Sequence, residues 1–148
     1  LAEPNKFLTK ARALLRPGGV CFLLVPNLHS LALRLLGVKY RYVYAQHLNY
    51  FSARTLAQLT RQCGFEIVAT RGTHFNPVVL WQDWRSGGRE VANAERGALL
   101  QRTTALKQNP WLKPLKAGYR LAEHALAAGG WADNLVLVAR SPSAPAKT

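Results

Sequence analysis

The run from Leu14 to Asn27 constrains the fold most, because it joins a helix end, a glycine turn and an apolar strand. Upstream of it, apolar side chains recur at the spacing of one helix face; they are Phe7, Leu8, Ala11, Leu14 and Leu15. Pro4 fits the first turn of that helix, where its missing N–H is not needed, and Pro17-Gly18-Gly19 ends it. Six apolar residues follow from Val20 to Val25 without alternation, which predicts a strand covered on both faces. This order indicates α/β architecture.

Composition limits the chain to one domain. Its 148 residues suffice for one hydrophobic core and do not call for a second. No apolar run approaches the ~20 residues of a membrane span, and Lys6, Lys10 and Arg12 interrupt any signal peptide. We therefore expect a soluble, cytoplasmic protein. Cys21 and Cys63 are isolated in the sequence, which predicts reduced core cysteines and no metal site.

The middle of the chain carries clear helix signals. Ser30 is placed as the N-cap of a short helix that ends at Gly37. Ser52 is placed as the N-cap of a second helix, with Phe51 packing on Leu56 and Gly64 as the left-handed C-terminal residue. A strand is predicted over 65–70.

The second half reads as a mostly helical insertion over 78–128, divided at Asn109-Pro110 into helices over 89–108 and 111–128. A last strand is predicted over 134–140, which completes one domain over 1–140. The tail over 141–148 is rich in Pro, Ala and Ser and is expected to be disordered. The chain contains no methionine, so we expect it to be a piece of a longer protein.

Four motifs in order resemble the C-terminal half of class I S-adenosylmethionine-dependent methyltransferases, of the type 11/12 kind. They are the Leu-Arg-Pro-Gly-Gly turn at 15–19, His-Leu-Asn-Tyr-Phe-Ser at 47–52, Cys-Gly-Phe at 63–65 and the strand over 134–140. The resemblance implies half of a Rossmann-like sheet, with the helical insertion before a last, antiparallel strand. More narrowly, Asn27 and the His-Phe-Asn-Pro run at 74–77 resemble the quinone-biosynthesis O-methyltransferases.

The same resemblance implies S-adenosylmethionine as the methyl donor, held by loops that would lie upstream of Leu1. The glycine pairs at 87–88 and 129–130 follow no predicted strand and do not replace the family's glycine-rich loop. We therefore expect this chain to build the acceptor pocket and its lid for a small or lipid-like acceptor. By itself it is expected neither to bind the donor well nor to catalyse transfer.

The candidate site residues follow strand ends or stand in the same motifs. Asn27 and His74 occupy the carboxyl ends of two strands, where open α/β sheets bind ligands. Asn27 is predicted to bind substrate or the donor's amino-acid end; the alternative is a turn residue that caps the strand. His47 is the candidate general base for an acceptor hydroxyl, the alternative being an orienting hydrogen bond. Tyr50 and Asn76 complete the predicted substrate-binding set.

The net charge of +13 leaves three alternatives open. Segment 30–44 interleaves Arg34, Lys39 and Arg41 with leucines and tyrosines, which favours contact with an anionic membrane. It also suits nucleic acid, where basic groups meet phosphates and aromatic rings stack on bases. The third alternative is a pocket lid on an ordinary basic protein. The alternative to an enzyme is thus a non-catalytic basic module that binds nucleic acid or membrane.

Overall fold

The computed structural model describes residues 2–40, 43, 48–86 and 113–143. Those residues form a mixed α/β fold. The elements in chain order are α1 (Pro4–Leu14), β1 (Val20–Pro26), α2 (Leu31–Leu36), a 3-10 helix (Gly37–Lys39), α3 (Ala53–Gln62), β2 (Glu66–Thr73), α4 (Pro77–Ser86), α5 (Lys113–Ala128) and β3 (Asn134–Arg140).

The predicted starts of α1, α2 and α3 are confirmed. Pro4 begins α1, and the Ser30 hydroxyl accepts a hydrogen bond from the Leu33 N–H at 3.1 Å as the N-cap of α2. Ser52 caps α3 in a reciprocal pair with Thr55, in which each side chain bonds the other residue's backbone N–H. Gly64 follows Cys63, the C-cap of α3, and takes a φ of 82°, a conformation that glycine adopts without the steric cost of a Cβ.

The sheet has the order β1-β3-β2, and β3 is antiparallel to both neighbours. This confirms the predicted antiparallel last strand, with the predicted bounds. The second strand is longer than expected, since it continues beyond residue 70 to Thr73. A bulge between Ile67 and Ala69 shifts its register against β3.

One face of this sheet carries the main core. Along β3, alternate side chains point to that face and are almost fully buried: Leu135, Leu137 and Ala139. Helices α1 and α3 cover them with Leu8, Leu56 and other apolar residues, and Phe65 and Cys63 close the cluster. A second, smaller cluster joins α2 to α4 through Ala32, Leu36, Tyr40, Val79 and Leu80.

The opposite face of β1 is open, so the prediction that this strand is covered on both faces is wrong for the described residues. Val20, Phe22 and Leu24 alternate with half-buried neighbours, and Phe22 is 63% exposed. The reason is that α1 and α3 contribute to the same apolar cluster on one side. The predicted stripe of α1 is also narrower than expected, because Phe7 and Leu14 lie exposed.

The insertion is helical where it is described, in α4 and α5. The predicted helix over 89–108 lies outside the described residues. None of the helices in the described ranges combines the length and apolar character of a membrane span. At the C-terminal end Ser141 is buried and exchanges backbone hydrogen bonds with Gly18 and Gly19, so order continues past 140 into the segment expected to be disordered. Residues 144–148 are outside the described part.

Candidate functional site

Three chain segments meet at the carboxyl ends of β1 and β2. Because β3 is antiparallel to both, its first residue, Asn134, stands opposite Pro26 of β1 and Thr73 of β2. The residues one step further, Asn27, His74 and Asp133, are therefore brought together. We refer to these three residues as the polar edge.

Asn27 is 3% exposed, and hydrogen bonds to backbone groups hold its side chain in place. Its amide nitrogen donates to the carbonyls of Gly130 at 2.9 Å and Ala132 at 2.7 Å. Its amide oxygen accepts from the His29 N–H at 3.0 Å. These are the contacts of a residue that fastens segment 130–132 to the end of β1. Both amide hydrogens are in use, so the predicted role in ligand binding stays a prediction that depends on the remaining lone pair of the oxygen.

His74 adopts a φ of 64°, a left-handed conformation that is strained for a residue with a side chain. Its carbonyl accepts the Asp133 N–H at 2.8 Å, so the strained turn fixes the start of β3. The half-buried side chain lines a groove of about 650 Å³ between β2 and α5, together with Arg71 and His124. Its predicted role as a substrate ligand is compatible with this position and stays a prediction.

The other predicted residues take separate places. The Asn76 side chain accepts hydrogen bonds from the N–H groups of Val78 at 3.1 Å and Val79 at 3.2 Å, and so caps α4. Tyr50 lines a small cavity at the end of β1, beside Asn27. His47, the candidate general base, lies outside the described residues.

Asp133 is a polar group that the sequence interpretation missed. It is 5% exposed, and its backbone carbonyl accepts the Asn27 N–H at 2.9 Å. Burial raises the pKa of its carboxyl group, while the Tyr40 hydroxyl, the His74 charge and the Asn76 backbone N–H act in the opposite direction. A signal was available, since Asp133 is one of only seven acidic residues and directly precedes an antiparallel strand.

The cysteines lie in the fold as the sequence indicates. Cys63 is buried and Cys21 half-buried, and both are free thiols. Burial raises the pKa of the Cys21 thiol, which keeps it protonated and poorly nucleophilic. The described ranges hold no group of three or more His, Cys, Asp or Glu side chains that could bind a metal ion.

Comparisons with known proteins agree with one another. Residues 1–70 match a family model described as a methyltransferase domain. The ubiquinone biosynthesis O-methyltransferase of Dinoroseobacter shibae is 30% identical to this chain over 99 residues. That alignment covers 62% of this chain and 39% of the relative, so the chain spans about two fifths of the relative's length.

Proposed function

We propose that this chain forms the acceptor side of a site for methyl transfer to oxygen. Its motifs and both comparisons relate it to the class I S-adenosylmethionine-dependent methyltransferases. The observation that carries the proposal is the polar edge, where Asn27, His74 and Asp133 share hydrogen bonds. In open α/β sheets ligands bind beyond the carboxyl ends of the strands. In the Rossmann-like sheet that the resemblance implies, this edge would face the acceptor.

The methyl donor needs backbone N–H groups from a glycine-rich loop between a strand and the next helix. The glycines of the described residues do not form such a loop. Gly18 and Gly19 precede β1, Gly72 lies inside β2, and the others lie in a helix or follow a helix end. The described residues therefore do not fit the donor, and we assign them the acceptor alone. When bound, the donor supplies an electrophilic methyl carbon.

The acceptor side can be described from the residues around the end of β1. Leu33 of α2, Tyr40 directly after the 3-10 helix and Tyr50 line the small cavity there, and α2 with the 3-10 helix is the proposed lid. In methyl transfer most of the acceleration comes from holding the nucleophile in line and excluding water. Apolar and aromatic walls supply that exclusion for a small or lipid-like acceptor. His47 stays the proposed base for its hydroxyl.

The test is methyl transfer by the full-length gene product that contains this chain. The protein would be incubated with S-adenosylmethionine labelled in the methyl group and a panel of hydroxylated aromatic compounds, with and without alkyl tails. We expect label in an ether methyl group of at least one compound. His47→Ala is expected to lower turnover without abolishing donor binding, whereas His29→Ala, at an exposed side chain outside the groove and the small cavity, serves as the matched control.

Absence of donor binding by calorimetry at millimolar concentration would contradict the proposal. Unchanged turnover in His47→Ala would assign this residue to the structure instead.

A second proposal concerns the surface formed by α2, the 3-10 helix and α4, through which we propose peripheral contact of a cytoplasmic protein with an anionic membrane. Segment 30–44 was the predicted contact, and α4 extends it because it packs on α2. The surface combines exposed apolar and basic side chains, namely Arg34, Leu35, Val38, Lys39, Trp81, Trp84 and Arg85. Val38 is 85% exposed, and tryptophan with arginine suits the boundary between headgroups and lipid tails.

Vesicle sedimentation tests the membrane proposal. Binding is expected to vesicles that contain phosphatidylglycerol and not to pure phosphatidylcholine, and salt should weaken it by screening. Val38→Asp should reduce binding, and Leu14→Asp, on the exposed side of α1, should not. If a single-stranded RNA displaced the protein from the vesicles, nucleic acid would be favoured over the membrane as the ligand of this surface.

A further inference from the structure

The groove between β2 and α5 has room for a small organic molecule. Its volume of about 650 Å³ lies within the range of roughly 300–1,000 Å³ that ligand pockets occupy. The groove lies at the carboxyl end of β2, where open α/β sheets bind ligands. Its lining includes His74, so it adjoins the polar edge.

Much of the lining is apolar and consists of small residues. A Cβ atom at Gly72 would lie 3.0 Å from Ala132 Cβ and 3.1 Å from Ala127 Cα, so only a glycine lets the end of α5 lie this close to β2. The apolar residues that line the groove are Ala53, Ala127, Ala128 and Leu135. These walls suit the aromatic or aliphatic body of a ligand.

The polar side chains that α5 contributes to the groove accept hydrogen bonds. His124 Nδ1 lies 2.7 Å from the Arg120 carbonyl oxygen, one turn earlier in the helix. A carbonyl oxygen only accepts, so Nδ1 carries the hydrogen and the neutral ring has its lone pair on Nε2. Glu123 is the other polar residue of α5 in the lining, and a carboxylate also accepts only.

His124 Nε2 is open to a ligand. Its side chain is exposed and lines the groove, and within the described ranges no group donates a hydrogen bond to Nε2. A ligand in the groove therefore reaches this atom without displacing a protein contact. The hydrogen bond at Nδ1 holds the ring in one tautomer, so the ligand must bring the donor.

We propose that this groove binds the acceptor and that His124 Nε2 accepts a hydrogen bond from a hydroxyl group of that ligand. The proposal deepens the acceptor role proposed above and rests on it for the identity of the ligand. It makes His124 a binding residue and assigns it no proton transfer.

The backbone strain at His74 agrees with a ligand site at this place. Left-handed backbone at a residue with a side chain persists where the surrounding structure requires it, and such residues cluster at ligand sites. The φ of 64° at His74 occurs where the groove meets the polar edge.

Para-cresol and its methyl ether provide the test, since they share a ring and only the cresol has an O–H donor. The full-length gene product, with isotope-labelled alanine methyl groups, would be titrated with each compound by NMR. The cresol should shift the signals of Ala53, Ala127 and Ala128 in the groove and leave Ala139 in the covered core unchanged. The ether should bind about fivefold more weakly, because it brings no donor to Nε2.

Variants of His124 test which atom causes this preference. His124→Phe keeps a ring without an acceptor, so the preference for the cresol should disappear. His124→Gln should retain part of it, because its amide oxygen is an acceptor. The matched control is His29→Phe, the same exchange at an exposed residue outside the groove, which should leave the preference unchanged.

Four results would each overturn the proposal. They are equal affinity for the two compounds, an unchanged preference in His124→Phe, no cresol binding at millimolar concentration, and shifts confined to alanines outside the groove. If His124→Phe does not fold, the comparison of the two compounds on the unchanged protein decides, together with the map of shifted signals.

This experiment separates the groove from the proposed function, because it requires no methyl donor. Cresol binding that depends on His124 would stand even if the full-length protein transferred no methyl group. Conversely, methyl transfer that is insensitive to His124→Phe would remove the binding role of His124 and leave the enzyme.

Discussion

The covered face of the sheet and the polar edge are both buried, but the first buries apolar side chains and the second buries polar ones. On the covered face Leu135, Leu137 and Ala139 pack in one cluster of apolar side chains, and their burial favours folding. At the edge, Asn27 and Asp133 bury polar groups, and His74 holds strained backbone. The covered face therefore stabilises the fold, whereas the polar edge costs stability and holds the Asp133 carboxyl group in one place.

The largest effect is expected from truncation in the covered face. Leu137→Ala should lower the free energy of unfolding by about 2–5 kcal/mol, because it leaves a cavity among side chains that cannot collapse. Leu24→Ala, on the open face of the neighbouring strand, should cost less than about 1 kcal/mol. Urea unfolding followed by circular dichroism compares the two. Equal losses would mean that the open face is covered in solution.

Asn27→Ala should have the next largest effect. It removes the donors to the Gly130 and Ala132 carbonyls, and leaving buried groups without partners costs about 1–3 kcal/mol. Asn5→Ala, an exposed change of the same kind in α1, should be nearly neutral. The same urea titration measures both variants. A neutral Asn27→Ala would show that the hydrogen bonds of the edge do not hold it together.

His74 offers a test of backbone strain. His74→Val should be less stable than His74→Gly by about 1–2 kcal/mol, because a β-branched residue fits left-handed backbone poorly and glycine fits it well. Thermal unfolding of the pair at one pH measures the difference. If the valine variant were as stable as the glycine variant, the backbone at this residue would not be left-handed in solution.

Asp133→Asn is expected to give the smallest change, visible as a dependence on pH. A carboxyl group whose pKa is raised in the folded state stabilises the fold at pH below its ordinary value of 3.8, and this contribution is lost as pH rises through the folded pKa. Asparagine does not titrate, so the variant should be the more stable protein at neutral pH and lose that advantage in acid.

The groups that face Asp133 shape this pH profile. They are Tyr40 before the cavity, His74 at the end of β2 and Tyr119 on α5, whose own pKa is raised by burial, by Glu123 and by Asp133. The measurement is the free energy of unfolding of the unchanged chain and of Asp133→Asn from pH 3 to 8. Parallel curves would mean that Asp133 has an ordinary pKa in the folded protein.

Much of the fold was accessible from sequence because its signals act locally. Pro4, Ser30, Ser52 and Gly64 each act on backbone groups within one helical turn, and each stands where it was expected. The same holds for the strand over 134–140 and for the order of motifs that carries the family resemblance. The positions of Asn27 and His74 at strand ends were also predictable, because a strand's end is a local property.

Only the tertiary structure decided which face of β1 is covered and which residue the polar edge presents. An unbroken apolar run indicates a hydrophobic strand and does not indicate on which side helices pack. The sequence therefore could not predict that Phe22 is exposed and Leu23 half-buried. Asp133 is buried because antiparallel pairing brings the start of β3 to the ends of β1 and β2, which lie far away in the sequence. Local patterns determine elements, and the environment of a side chain comes from segments that its own neighbourhood does not encode.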